Sequence, residues 1–268
     1  IISLIATLVV AIIIIAIVYC VNKDFRSFWD KYILMKNVTE NNLPSIAIDN
    51  VDSNNIFAYD KYIVVLKNNI LTAYNNLGKE EYSENIAITT PIVDHKGRFF
   101  LIGEKNAKKI YLMEGNKKVW EKELEGNIAR VSVNKNGYVA VVLTGTTYKS
   151  VTQIFNAEGK ELFKSYLSNS TVMDVDISVD NRYVSFVEVS SDATLVQSSI
   201  KTISVEKAST IPSESIVYTS DMQTNRLPIA IAYQEQNKLV CFFDNEIDVW
   251  KEGKLEVVTY LEEEGKKI

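Results

Sequence analysis

The sequence predicts an all-β fold, a β-propeller of four-stranded blades preceded by one N-terminal transmembrane α-helix, and three observations carry that expectation. A Gly-containing hairpin, NAEGKELFKSYL (Asn156–Leu167), returns as AYNNLGKEEY (Ala73–Tyr82), YLMEGNKKVWEKEL (Tyr111–Leu124) and DVWKEGKLEVV (Asp248–Val258). Strands begin after polar turns at Tyr62, Phe99, Tyr138, Tyr183 and Leu239, spaced by 37, 39, 45 and 56 residues, a period in the range of propeller blades. The third observation is the uncharged opening run.

That run, residues 1–21, is long enough as a helix to span about 30 Å, the thickness of a hydrocarbon core. A cleaved signal peptide fits less well, because the apolar stretch exceeds the usual length and no small-x-small site precedes Asn22. Lipidation at Cys20 is disfavoured by Tyr19 in the position before it. Residues 22–36 follow as a juxtamembrane amphipathic helix. In it Phe25, Phe28, Trp29 and Tyr32 recur on one helical face and are the candidate membrane-interface residues, with Lys23, Arg26, Lys31 and Lys36 alongside. The same four cations pull this flank toward the cytoplasm by the positive-inside rule, but the preceding flank needed for comparison is absent. Residues 37–54, rich in Asn, Asp, Ser and Thr, read as a linker holding a short strand over Ser45–Ile48.

From residue 55 to 268 the chain divides into five units, at about 55–85, 86–126, 127–168, 169–222 and 223–268. In the third, strands are expected over Ile128–Val133, Tyr138–Leu143, Val151–Phe155 and Glu161–Leu167. The fourth has Val172–Ser178, Tyr183–Val189, Ser199–Val205 and Ser215–Thr219, with Ser/Thr-rich connections widening the spacing. The fifth has Pro228–Tyr233, Leu239–Phe243, Glu246–Trp250 and Leu255–Leu261. Apolar runs such as Tyr62–Leu66 suit sheets buried on both faces, as radial blades are. The strand at Ser45–Ile48 finds no incomplete blade to join, from which the expectation is that two or three further blades follow Ile268. The first residue is Ile rather than Met, which suggests a trimmed chain.

The segments GKELFKSYL, KKVWEKEL and GKEEYSENI resemble the hairpins of quinoprotein-like propeller repeats, and ISVDNRYVSFV and VSVNKNGYVAVV resemble the inner turns of WD40-like repeats. With the single N-terminal span, the chain is similar to a family of uncharacterised single-pass bacterial propeller proteins known only as a domain of unknown function. The resemblance covers roughly residues 55–261. It implies a fold and an extracytoplasmic location more than an activity, and it brings no quinone ligands with it.

Composition excludes little else. A net charge of −5 and a pI of about 5.2 leave no basic footprint for nucleic acid. Cys20 and Cys241, 221 residues apart, suggest neither a disulfide nor a metal site. His95, the lone histidine, lies in a turn without a partnered nucleophile. The run Asp174, Asp176, Ser178, Asp180 imitates the start of a calcium loop, yet Val179 replaces the turn Gly and Ser185 the bidentate Glu. The acidic residues Glu262–Glu264 read as solvated loop. No catalytic, cofactor or metal residues are assigned and no enzyme is expected. The function expected is a protein-interaction platform at the cell envelope, attached to the membrane through residues 1–21 and with a protein partner of unknown identity. The alternatives are a binding domain for a small envelope ligand such as a saccharide, held in the central channel, and less readily an envelope hydrolase.

Overall fold

The computed structural model describes residues 2–34, 46, 48, 51–190, 195–224 and 226–261. The strand expected over Ser45–Ile48, apart from Ile46 and Ile48, and the Glu262–Glu264 tail lie outside them.

Two helices lead. Helix α1 (Ile2–Val21) is continuous for twenty residues, and α2 (Lys23–Tyr32) follows directly. Asn22 starts α2: its side-chain oxygen accepts from the Phe25 N–H at 3.0 Å, satisfying one of the unpaired donors of a helix start. Arg26 reaches back to the end of α1, donating to the Tyr19 and Cys20 carbonyls at 3.0 and 2.7 Å, groups that a helix terminus leaves without partners. Over the described residues no helix is long and apolar enough to cross a membrane.

The rest is five antiparallel sheets, each a four-stranded meander in chain order. The first is β1 (Ile56–Tyr59), β2 (Tyr62–Lys67), β3 (Ile70–Tyr74) and β4 (Glu80–Asn85); the second is β5 (Pro91–Lys96), β6 (Phe99–Glu104), β7 (Lys109–Glu114) and β8 (Lys117–Glu123). The third comprises β9 (Asn127–Val133), β10 (Val139–Thr144), β11 (Ser150–Phe155) and β12 (Glu161–Leu167). The fourth holds β13 (Ser170–Ile177), β14 (Tyr183–Ser190), β15 (Gln197–Ser204) and β16 (Ile216–Thr219), with the two-residue β17 (Gln223–Thr224) added to β15. The fifth is β18 (Pro228–Tyr233), β19 (Lys238–Phe243), β20 (Glu246–Lys251) and β21 (Lys254–Tyr260).

The sheets stack like blades. Four apolar cores fill the gaps: Tyr59, Leu71 and Phe100 between sheets one and two, Leu112, Trp120 and Val141 between two and three, Ile154, Val175 and Phe186 between three and four, and Val187, Ile231 and Cys241 between four and five. Among the described residues no core cluster joins sheet five to sheet one. A sheet buried on both faces needs apolar residues at successive positions, not alternate ones. Accordingly Val139–Leu143 in the third sheet is buried throughout.

The repeated hairpin has a repeated backbone. Between the third and fourth strands of every sheet the register slips, at Ala73/Tyr74, Leu112/Met113, Ile154/Phe155, Thr202/Ile203 and Val249/Trp250. Such a bulge bends the strand and increases local twist, which suits the outer edge of a blade. Two of the glycines there meet an aromatic ring closely. Gly159 has φ +79°, and a Cβ on it would lie 2.9 Å from the Trp120 ring of the preceding sheet; Gly253, at φ +74°, lies against Tyr218 in the same way.

The Ser/Thr-rich connection of the fourth sheet differs from expectation. It contains a short helix, α3 (Val205–Thr210), capped by the Ser204 hydroxyl accepting from the Lys207 N–H. Strand β15 therefore ends at Ser204, short of the expected Val205, because the chain turns into the helix at its cap.

Candidate functional site

Three places in the fold gather side chains that packing alone does not require: the inner ends of the sheets, the outer face of the fifth sheet, and the cleft between sheets four and five.

At the inner ends β5, β9, β13 and β18 run beside one another, and carboxylates pin each to its neighbours. Asp94 accepts from the Val133 N–H at 2.8 Å, joining the second sheet to the third. Asp174 accepts from the Ile231 N–H at 2.9 Å, joining the fourth to the fifth. Asp176 is the hub. It accepts from Ser132 Oγ at 2.7 Å, the Tyr233 N–H at 2.7 Å and Lys96 Nζ at 3.0 Å, so groups from three other sheets converge on one buried side chain. Burial pushes the carboxyls of Asp94 and Asp174 above the ordinary range, against the backbone hydrogen bonds that favour their ionised forms. Every oxygen named here is engaged in holding sheets together. The expected strand reading of Asp174 and Asp176 holds, and their role as staples between blades was not foreseen. An Asp on alternate residues of an otherwise apolar strand is the signal for it.

The outer face of sheet five is largely apolar, with a row of three lysines, Lys238, Lys251 and Lys254, at one end of it. Cross-strand pairing places Ala232, Val240, Val249 and Val257 in one row and Ala230, Phe242, Ile247 and Thr259 in the next. None of these eight is buried, whereas Ile231, Tyr233, Leu239, Cys241 and Phe243 on the opposite face are. Phe242 is 38% and Val257 48% exposed. Adjoining apolar side chains left in water cost free energy that contact with another surface recovers.

Between sheets four and five a cleft of about 510 Å³ is walled by Tyr183, Tyr218, Tyr233 and Trp250, and beside it lies a second chamber of about 320 Å³. The Tyr218 and Trp250 rings, 5.2 Å apart and tilted 44°, stand between them. Burial pushes the Tyr218 hydroxyl up to about 12. In the second chamber Arg226 lies 4.1 Å over the Phe243 ring, donates to Asp248 at 2.8 Å and pairs with Glu246. Sequence reading missed this cluster. Glu246 and Asp248 sit two apart on one face of a strand, a pattern that marks a buried polar patch only once the neighbouring sheet is known.

The expected interface residues pair along α2: the Phe25 and Trp29 rings are 5.4 Å apart and those of Phe28 and Tyr32 5.1 Å. Phe28 and Tyr32 are about half exposed. His95, expected in a turn, is instead exposed within β5, opposite Phe100, because the turn begins only after Lys96. Cys20 is exposed and Cys241 buried, both as free thiols. Among the described residues no group of three or more His, Cys, Asp or Glu side chains stands where a metal ion could be held.

The family described as a family of unknown function, DUF5711, matches residues 18–266. No curated protein matches the chain. Among solved structures it is similar to Hsv2 from Kluyvelomyces marxianus, at 16% identity and a TM-score of 0.57, over 81% of this chain and 74% of that one. Hsv2p of Kluyveromyces lactis follows at 13% identity, TM-score 0.53 and the same coverage of 81% and 74%. BamB from Moraxella catarrhalis is similar at 14% identity and TM-score 0.50, over 80% of this chain and 62% of that one. These neighbours are β-propeller proteins, and the likeness is one of fold.

Proposed function

This chain belongs to the DUF5711 family of unknown function, and we propose that it is a membrane-anchored, extracytoplasmic β-propeller serving as a protein-interaction platform at the bacterial cell envelope. The observation that carries the reading is the outer face of sheet five, where two four-strand rows of side chains, all apolar but Thr259, are left unburied. Its partner presents an apolar β surface, since four interfaces of that kind already hold these blades together. Interfaces of this chemistry exclude water and need little charge at their centre, and these rows contain no charged residue.

Anchoring through residues 1–21 is supported by the twenty-residue α1, whose sequence has no charge. The aromatic pairs on α2 suit the headgroup layer, where rings with one apolar and one wet end settle. Placement outside the cytoplasm draws on the resemblance to single-pass propeller proteins. The platform reading leaves chemistry aside, because the convergent carboxylates at the inner strands are occupied as staples.

A photo-crosslinking residue at Val257, in the full chain in membranes, tests the surface against a control at Lys79 in an exposed turn. Adducts to a second polypeptide from Val257 alone are expected. Adducts confined to the same chain, whether to the first sheet or to a further blade, or none, overturn the reading.

A further inference from the structure

The two ends of the propeller are unlike. Each sheet is a meander, so its first and third strands run one way and its second and fourth the other. The inner strands run parallel. Asp94 near the finish of β5 meets Val133 at the finish of β9; Arg130 and Ser132 of β9 meet Met173 and Asp176 of β13; and Asp174 and Asp176 meet Ile231 and Tyr233 of β18, the partners advancing together along both strands. Strand β1 has the same sense, since the Tyr59 hydroxyl at its finish donates to the Gly115 carbonyl, and the Gly115 N–H donates to the Arg98 carbonyl just beyond β5. All five inner strands therefore begin at one end of the molecule, the end at which the chain arrives from α2.

That entry end is the apolar one. Among the described residues its loops expose Tyr148, Leu195, Val196, Met222 and Leu227, whereas Ile211 is the one large hydrophobic residue exposed in the loops of the opposite end. The opposite turns carry charges such as Asp60 and Lys61, Glu158 and Lys160, and Asp180 and Arg182. Residues 222–227 and 195–198 lie at one end of sheet four, because Gln223 and Thr224 pair with Ser198 and Gln197 and the Arg226 carbonyl accepts from Ser198 Oγ at 3.1 Å. At the same end of sheet three the Tyr148 and Tyr166 rings lie 4.7 Å apart, both exposed. Lys105, Lys108 and Lys109 stand exposed at this end of sheet two.

Apolar tips on loops of separate sheets, with tyrosines and lysines beside them, suit a fluid flat surface better than a packed protein face. Apolar side chains bury among headgroups and phenol rings settle where one edge stays wet. Exposed lysines attract anionic lipid. Residues 33–55 separate α2 from β1, and a chain of that length spans at most about 80 Å. Either end of the propeller can thus reach a bilayer that holds α1, and the surfaces decide which end does. Tethering also lets a weak surface suffice, since it holds the loops at high local concentration near the lipid.

We propose that the propeller rests with its entry end on the bilayer, Tyr148, Leu195, Met222 and Leu227 among the headgroups and Lys105, Lys108 and Lys109 over anionic lipid. This rests on the anchoring of residues 1–21 and adds an orientation to it. The apolar face of sheet five then stands upright from the membrane, open to a partner.

The test uses the full chain with Cys20→Ser, in vesicles of phosphatidylcholine and phosphatidylglycerol. An environment-sensitive fluorophore is placed through Leu195→Cys, Met222→Cys or Leu227→Cys at the entry end, and through Lys79→Cys or Glu158→Cys at the other. Flotation of the vesicles reads the anchor, and quenching by a phospholipid with a nitroxide headgroup reads the docking. Co-flotation is expected, with quenching at least about twofold stronger at the three entry-end positions. Leu195→Glu with Met222→Glu should bring the Leu227→Cys label down to the Lys79 level while flotation persists; both positions are exposed, and circular dichroism checks the fold. A chain that does not float overturns the anchor and the docking with it. A chain that floats with equal quenching at both ends, or whose entry-end quenching survives the two glutamates, overturns the docking alone. So do entry-end positions that stay unquenched in these vesicles yet photo-crosslink to a polypeptide in native membranes, which assigns the patch to a protein.

Discussion

Gly159 is held by two constraints at once, a left-handed backbone and the Trp120 ring against its α-carbon. A side chain there strains the turn and displaces the ring, whose Nε1 donates to the Ala157 carbonyl at 3.0 Å. Gly159→Ala is expected to cost about 1–3 kcal/mol, read as a lower midpoint in urea unfolding. Asp180 is a second such residue. Burial acts to raise its carboxyl, but hydrogen bonds from Ser178, Arg182 and Asn237 outweigh it and hold the group down to about 2, from an ordinary 3.8. A depressed carboxyl contributes stability that is whole above its unfolded value and lost as pH falls. Unfolding measured between pH 5 and pH 2, on the order of that window, should show the wild type losing on the order of 1 kcal/mol more than Asp180→Asn, the shift being discounted for a carboxylate one-third exposed. The Gly in each hairpin could be read from the sequence as a turn. That an aromatic of the preceding sheet packs on it could not, because Trp120 and Gly159 meet only after the blades stack.

At the scale of elements, the inner strands are where the fold is stapled. Asp176 takes hydrogen bonds from the second, third and fifth sheets. Asp176→Ala removes an acceptor from two buried donors and from the partly exposed Lys96, and is expected to destabilise by about 1–3 kcal/mol, the range for leaving buried donors unsatisfied. Asp176→Asn, which keeps an acceptor, should cost less, and thermal unfolding of the two variants separates the cases. The strands themselves were largely legible. Glu161–Leu167 and Pro228–Tyr233 coincide with expectation, and most others differ by one or two residues. Apolar runs between polar turns at a steady interval are a local signal, and strand limits follow from it. Helix α3 was missed, although Ser204 followed by Val-Glu-Lys carries the cap that marks a helix start. A six-residue helix is too short to show a period.

For the whole molecule, among the described residues the five sheets form a series whose first and fifth members differ. The first sheet shows water Ile56, Ile63 and Ile70, while the fifth shows its continuous apolar rows. If the fifth sheet is the contact surface, Val257→Lys, which adds a charge to an already exposed position, should abolish crosslinks to a partner made from neighbouring positions on that face while changing the unfolding free energy by no more than about 0.5 kcal/mol. Deleting residues 1–21 should move the protein from the membrane pellet to the supernatant without altering its β-rich circular dichroism. Retention of the truncated chain in the pellet after a carbonate wash would count against the anchor. A reagent excluded from the cytoplasm, reacting with a cysteine placed in the Lys79 turn of intact cells, reads the side on which the propeller lies.

The sequence by itself determined most of the strands and the repeat, because hairpin turns and doubly buried strands are written in residues close together in the chain. Tertiary structure alone decided what the polar residues are for. Asp94, Asp174 and Asp176 became staples, and Arg226, Glu246 and Asp248 became the floor of a cleft, because their partners come from neighbouring sheets or from across a sheet boundary. The apolar face of sheet five was likewise decided there. A strand with hydrophobic residues on both sides reads the same whether one side is covered or both, and only the packing of sheets shows which one meets water.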